Sequence, residues 1–341
     1  MRKAFCVFLI AMFVVGIGGC KQTVPEFPSA EIGACSQVAL EFLSDEKLKM
    51  EQDASLTDIA KQLGITLRNY PVVDGSTSTL GIVQEMYKSM FGEGGADTED
   101  YPTEASKTVP SYQLLIDGEA DMIIVPYASA DILNRAKEKG VTLEFNRIAA
   151  EALIFITPLE NPVENITTEQ IRSIYIDNGI DNWKELGGPD KKLVPICRNE
   201  DSGSQSQMDN LILNNEEMHP DIKENYVELT MDGMLSQVAF QHYGGIGGTP
   251  TESYAIGYTL YAYLRDHTLV TGIGDSLKIL AFDGIQPDQE SLANGAYSLT
   301  DGYYAVTRSD LPEDHTARTM IEWLRGDGAS VVEKLGLIPS K

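Results

Sequence analysis

Cysteine, histidine and basic residues are the scarce components of this chain. Its 341 residues include four Cys, four His, two Trp and 26 Lys+Arg against 51 Asp+Glu. Four cysteines are too few for a disulfide scaffold of this length. Cys6 and Cys20 fall in or beside an apolar leader, which leaves Cys35 and Cys197 either to pair or to remain two thiols. His219, His242, His267 and His315 stand neither at i, i+4 spacing nor beside a CxxC, so no metal pattern is present and no metal or cofactor is expected. A formal net charge of −25 excludes nucleic acid and anionic lipid as surface partners, because both require Lys/Arg clusters to displace counterions. An anionic ligand must then be held by local groups and not by the overall field. Apolar material, at 43% of residues, is sufficient for a full core, and the length predicts two domains.

Met1-Arg2-Lys3 precede an apolar stretch, residues 4–17, that is short for a bilayer span and of the length of a signal-peptide core. It ends in Ile17-Gly18-Gly19-Cys20. Two small residues before a cysteine, with an aliphatic residue third back, resemble the bacterial lipobox. That resemblance implies a signal peptide at 1–19 and a lipid anchor on Cys20. An ordinary secretory signal and a short N-terminal anchor are the alternatives, and all three place the folded part outside the cytoplasm. Residues 20–36, with Pro25 and Pro28, read as a tether.

Beyond the tether, short apolar runs alternate with amphipathic stretches, the pattern of an α/β fold. Strands are predicted at 69–73, 122–125, 153–156, 193–197, 254–257 and 303–307. Helices are predicted at 80–91, 111–117, 132–139, 168–175, 205–214 and 317–324. The Gly- and acid-rich residues 93–107 read as a long exposed loop, and no internal repeat is present.

Two strand–turn–helix junctions stand out. Val72-Val73 runs into Asp74-Gly75-Ser76-Thr77-Ser78-Thr79-Leu80-Gly81, and Ile196-Cys197 runs into Arg198-Asn199-Glu200-Asp201-Ser202-Gly203-Ser204-Gln205-Ser206. A helix N-terminus leaves backbone N–H groups unpaired and carries partial positive charge, so such a turn is suited to an anion. One Ser or Thr would suffice for capping, whereas the first turn has four hydroxyl residues in succession. In the second, Arg198 offers a planar fork of donors for an oxyanion, which Glu200 or Asp201 could orient. The plainer reading of Arg198 is a surface ion pair. Two such turns in opposite halves of one chain predict a cleft that grips an oxyanion from both sides.

In these residues the chain resembles the phosphate-type solute-binding proteins of bacterial ABC importers, within them the lipoprotein branch. The resemblance runs from about residue 69 to 337. Besides the two turns it is carried by Ile116-Asp117-Gly118-Glu119-Ala120-Asp121, Asn182-Trp183-Lys184-Glu185-Leu186-Gly187-Gly188, Ala255-Ile256-Gly257-Tyr258 and Tyr303-Tyr304-Ala305-Val306. It implies a type II periplasmic-binding-protein fold: two α/β lobes, a two-stranded hinge and a ligand cleft between the lobes. By analogy residues 37–152 and 265–341 form lobe 1, and 153–264 form lobe 2. The family's anion contacts map onto Ser78, Thr79 and Leu80, largely through backbone amides, and onto Arg198, Ser202, Gly203 and Ser204. Glu200 maps as the partner of Arg198, and Ser106 and Thr108 map onto a further Ser-rich contact.

One departure concerns selectivity. The family places a carboxylate after the strand that here reads Met122-Ile123-Ile124-Val125-Pro126-Tyr127, and no acid stands there. A buried carboxylate repels a fully ionised oxyanion and accepts a proton from a protonated one, so its absence weakens the case for phosphate. Asp131 is the nearest substitute in sequence, and Tyr127 and Tyr258 are either contacts or lobe aromatics. The function implied is capture of an inorganic oxyanion, phosphate first, by a monomeric, membrane-anchored, extracytoplasmic protein that delivers it to ABC permease subunits. A sensor or surface protein on the same fold, or a binder of another small anion, is the alternative. An enzyme is not expected, because no His lies in a ligand loop and Ser202-Gly203-Ser204 lacks the Gly-x-Ser-x-Gly elbow.

Overall fold

The computed structural model describes residues 56–340 apart from 215, 245–248 and 250; the leader, Cys20, the tether and Cys35 lie outside the described residues. Along the chain come α1 (Asp58–Leu63), β1 (Val73–Gly75), α2 (Leu80–Phe91), α3 (Thr108–Asp117), β2 (Met122–Pro126), α4 (Ala130–Glu138) and the long β3 (Leu143–Pro158). Next are β4 (Asn165–Ile166), α5 (Thr168–Arg172), β5 (Lys192–Pro195), β6 (Cys197–Arg198), α6 (Gly203–Met208), α7 (Pro220–Asn225), β7 (Val227–Glu228), α8 (Met231–Phe240) and β8 (Ser253–Leu260). Then follow α9 (Tyr261–Thr271), β9 (Leu277–Ile279), β10 (Ala281–Phe282), α10 (Gln289–Ala293), β11 (Thr300–Arg308), α11 (Thr316–Arg325), α12 (Ser330–Lys334) and β12 (Ile338–Pro339). Among the described residues no helix is long and apolar enough to cross a membrane.

The strands join in the order β1-β2-β11-β3-β8-β5, with β9 and β12 also pairing with β3. The apolar run of β2 is explained by two covered faces. Met122 and Ile124 pack on one side with Ile82, Met86, Tyr303 and Trp323, while Ile123 and Val125 pack on the other with Tyr112, Leu115 and Ile132. A third core gathers residues 153–156 with Trp183, Leu193, Tyr258 and Leu235. The molecule is therefore a two-lobed α/β protein in which β3 belongs to both lobes. Residues 143–152 pair with β11 and residues 153–156 with β8, so the handover falls between Ala152 and Leu153. Thr300 is the register partner of Ala152, which sets the two crossings of the hinge side by side and antiparallel.

Several expectations shift by a few residues for identifiable reasons. The strand expected at 69–73 starts at Val73, because Pro71 has no N–H and the Tyr70 ring turns to pack edge-on against Tyr87 and Phe91 at 5.2 and 5.3 Å. The strand expected at 193–197 divides: β5 pairs with β8, whereas Cys197 and Arg198 pair with β7. Residues 93–97 form a 3₁₀ turn whose Gly95 is buried against Phe91 and Tyr87, so this segment is not wholly an exposed loop. Leu277, Leu280, Phe282, Leu292, Tyr297 and Leu299 pack in the same core as residues 153–156. Packing thus groups 277–299 with the second lobe, where the sequence suggests a return to the first at 265. The cause is β9, whose partners are residues 156–158 of β3.

Candidate functional site

The first junction is built tightly against β2. Gly75 is required there: a Cβ would lie 2.9 Å from both the Ile124 carbonyl and Thr79 Oγ1. Thr79 is fully buried, and its hydroxyl donates to the Ile124 carbonyl at 2.5 Å while accepting from the Ser76 amide at 2.9 Å. Its own amide donates to the Ser76 carbonyl at 3.0 Å. Thr79 therefore pins the loop and does not face the cavity. That leaves Ser76 Oγ, 3.1 Å from Ser78 Oγ, on the open side.

The second junction carries charge. Because β6 turns away from β5 to pair with β7, Arg198 faces inward and is only 7% exposed. Its Nε donates to the Glu228 carbonyl at 3.0 Å, one terminal nitrogen reaches Ser204 Oγ at 3.5 Å, and its amide donates to the Tyr258 hydroxyl at 3.0 Å. Burial lowers its proton affinity. Ser202 Oγ and Ser204 Oγ are 2.9 Å apart, with Ser204 fully buried behind. Gly203 is the second position that admits only glycine. A Cβ would lie 2.7 Å from Thr108 Oγ1 and 2.8 Å from Pro126, so the loop of one lobe touches the other lobe here.

Between the two junctions lies a cavity of about 190 Å³, smaller than the roughly 300–1,000 Å³ of sites for drug-sized molecules and suited to a small ion. Of the residues expected from the sequence, Ser78, Thr108, Arg198, Ser202 and Gly203 line it. Thr108 is 1% exposed, and its Oγ1 has no hydrogen-bond partner. Thr79, Leu80, Ser106 and Ser204 do not line it. Ser106 is exposed, and its amide is engaged by Asp74 Oδ1 at 3.2 Å. Glu200 is exposed too, and among the described residues it forms no ion pair with Arg198. The carbonyl of Glu228 holds the guanidinium in its place.

The cavity also takes in Ser76, Thr77, Asn199 and Asp201 of the two turns, and three groups that sequence reasoning did not place there: Lys107, Asp232 and Tyr263. Lys107 has φ 78° and ψ 171°, a backbone state nearly reserved for glycine and typical of functional sites. Asp232 comes from the first turn of α8, and its Oδ1 accepts from the Tyr263 hydroxyl and lies 3.4 Å from His267 Nε2. It supplies a carboxylate at the cavity, the feature missing after β2. Asp131 is exposed at the start of α4 and does not line the cavity. Tyr258 is a core residue whose hydroxyl donates to Gln205 Oε1, and the Tyr127 ring packs at a tilt against Phe145, centroids 4.5 Å apart. No sequence signal marks Asp232, because nothing local shows where the start of α8 will point.

The profile of a family described as a PBP superfamily domain matches residues 66–327. Phosphate-binding protein PstS of Borreliella burgdorferi is 28% identical over 220 residues, 64% of this chain and 72% of that protein. Phosphate-binding protein PstS of Bacillus subtilis is 25% identical over 220 residues, 63% of this chain and 64% of that protein. An ABC-type phosphate transport receptor from Vibrio cholerae shares the fold at a TM-score of 0.58 with 21% identity, covering 79% of this chain and 99% of that one. With two lobes, a hinge of paired strands and a match over most of its length, the chain belongs to the PBP superfamily, the periplasmic-binding-protein fold.

Proposed function

We propose that this protein captures an inorganic oxyanion, hydrogen phosphate first, between its lobes outside the cytoplasm and delivers it to the permease of an ABC importer. One observation carries the reading. The buried Arg198 guanidinium bonds to a carbonyl and a serine hydroxyl, forms no salt bridge among the described residues although the Glu228 and Asp232 carboxylates lie nearby, and faces a cavity with an unpartnered Thr108 hydroxyl. A buried cation without a direct ion-pair partner is costly, and an entering anion lowers that cost. The ligand contacts in this reading are Ser78, Thr108, Arg198, Ser202 and the Gly203 backbone, with Lys107 at the rim. The names of the two curated relatives support phosphate and describe binding proteins, not enzymes. Anchoring at Cys20 would keep the protein beside its permease.

Asp232 bears on the choice of anion. A carboxylate at the cavity accepts a hydrogen bond from hydrogen phosphate but repels fully ionised sulfate. Calorimetric titration of the ligand-stripped protein with each anion tests the proposal. Tight binding of phosphate over sulfate is expected, and Asp232→Asn should narrow that preference. Absence of heat with both anions would refute the oxyanion reading.

A further inference from the structure

Glu151 stands on β3 next to Ala152, the last residue before the hinge handover, and it is 3% exposed in an otherwise apolar stretch. Its Oε1 accepts from two backbone amides, that of Ala152 at 2.8 Å and that of Ala262 at 3.1 Å. Ala262 lies in the first turn of α9, whose N-terminus has no cap from its own Leu260. One carboxyl oxygen thus ties the hinge strand to a helix packed beside it. The other, Oε2, is buried without a hydrogen-bond partner, as is the hydroxyl of fully buried Tyr303 on β11. The polar neighbours of that hydroxyl are Glu151 and Ser78, the serine of the first ligand loop. The Tyr303 hydroxyl therefore has the hinge carboxyl and the loop serine as neighbours, both close but short of bonding geometry.

We propose that Glu151 is a positioning residue of the oxyanion site: through the Tyr303 hydroxyl it sets the direction in which Ser78 donates, so that an anion and a proton on Glu151 are bound together. This rests on the cavity being an oxyanion site. A hydroxyl has one hydrogen to give, so the three groups can bond in two senses. With Glu151 ionised, Tyr303 donates to Oε2, and its oxygen draws the Ser78 hydrogen away from the cavity. With one proton taken from solvent, Glu151 donates to the Tyr303 oxygen, Tyr303 donates to Ser78 Oγ, and the Ser78 hydrogen is released toward the anion. A slight closure at the hinge completes both bonds. Burial holds the Glu151 carboxyl up at about 6, so the exchange falls in an accessible range. The charged and titratable neighbours are Tyr303 and the register partner Asp301 on β11, Arg265 on α9, and Asp266, which faces Tyr303.

The sign follows from linkage. A nearby anion favours the protonated carboxyl, so affinity is highest at acidic pH and falls as pH rises through the Glu151 range. The test is calorimetric titration with inorganic phosphate from pH 5.5 to 7.5, in two buffers of different protonation enthalpy. It compares the ligand-stripped mature chain with Glu151→Gln and Tyr303→Phe. The protonation of phosphate itself is common to all three titrations. The wild type should lose about five-fold more affinity across this range than Glu151→Gln and take up more protons, a one-unit coupling being worth tenfold at most. The glutamine amide donates as the protonated acid does, so Glu151→Gln should hold its affinity at pH 7.5. Tyr303→Phe, which keeps the ring packing, should lose the excess dependence, and it carries the test if the glutamine variant does not fold. Without ligand, the stability of the neutral carboxyl is present below its ordinary 4.5 and lost through about 6. Glu151→Gln should therefore gain a few degrees of Tm on the wild type between pH 4.5 and 7. Identical pH slopes and proton counts in all three proteins would overturn the proposal alone. Absence of phosphate binding at every pH would refute the oxyanion reading and this proposal with it.

Discussion

The two loops that face the cavity solve opposite problems. In the first, the Thr79 hydroxyl is bonded to the backbone of β2 and Ser76 to Thr79, so the turn is pinned without a ligand and only the Ser78 hydroxyl, beside Ser76, is left to turn. In the second, the Arg198 guanidinium is held by a carbonyl and a serine hydroxyl and, among the described residues, has no direct salt-bridge partner. Thr108, where α3 of the first lobe meets Gly203 of the second, is likewise unpartnered. The first loop thus contributes shape and the second contributes the need for an anion. Binding free energy should concentrate in the groups that the protein leaves unsatisfied, and stability in those it satisfies.

Substitutions can break or sharpen that contrast. The largest effect is expected for Arg198→Ala, which should weaken phosphate binding at least about 100-fold, near 3 kcal/mol, with Arg198→Lys recovering only part. Unchanged affinity in the titration would end the two-loop account. Thr108→Val should cost about ten-fold in affinity while leaving the ligand-free protein as stable as before or more so, since it removes an unpartnered buried hydroxyl. A melting scan beside the titration separates the two quantities. Thr79→Val should act the other way, destabilising the fold by about 1–3 kcal/mol in urea unfolding, because the Ile124 carbonyl and Ser76 amide each lose their shorter bond and keep only the 3.3 Å one to each other. A large affinity loss at constant stability would instead make Thr79 a ligand contact. Glu200→Gln should change either quantity by no more than about 0.5 kcal/mol. A substantial loss there would restore Glu200 as the partner of the guanidinium.

The legibility of the site follows the range of the interactions that build it. Gly75-Ser76-Thr77-Ser78 and Arg198 through Gly203 could be read directly, because a strand–turn–helix junction declares itself within a few residues. The roles inside each turn could not. Whether Thr79 faces the cavity or Ile124 is decided by β2, some 45 residues away in sequence. Glu200 is two residues from Arg198, yet the guanidinium turns to the Glu228 carbonyl because β6 leaves β5 for β7. Asp232 was hidden for another reason. Gly233 in the first turn of α8 lowers local helix propensity, and the direction of that turn depends on how α8 packs against β8.

By itself the sequence determined the α/β class, the two hydroxyl-rich junctions, the buried-strand character of β2 and the presence of one arginine suited to an oxyanion. These are matters of composition, period and turn chemistry, which act over a few residues. Only the tertiary structure decided where the chain crosses between lobes, which hydroxyls are spent on the backbone and which remain free, and that Asp232 and Lys107 join the site. It also placed Glu151 behind Ser78. In the sequence Glu151 is a lone acid in an apolar run; in the fold its neighbours come from β11 and α9. The cause is physical: β3 pairs with different strands along its two halves, and the side chains that meet at the hinge are set by that long-range pairing.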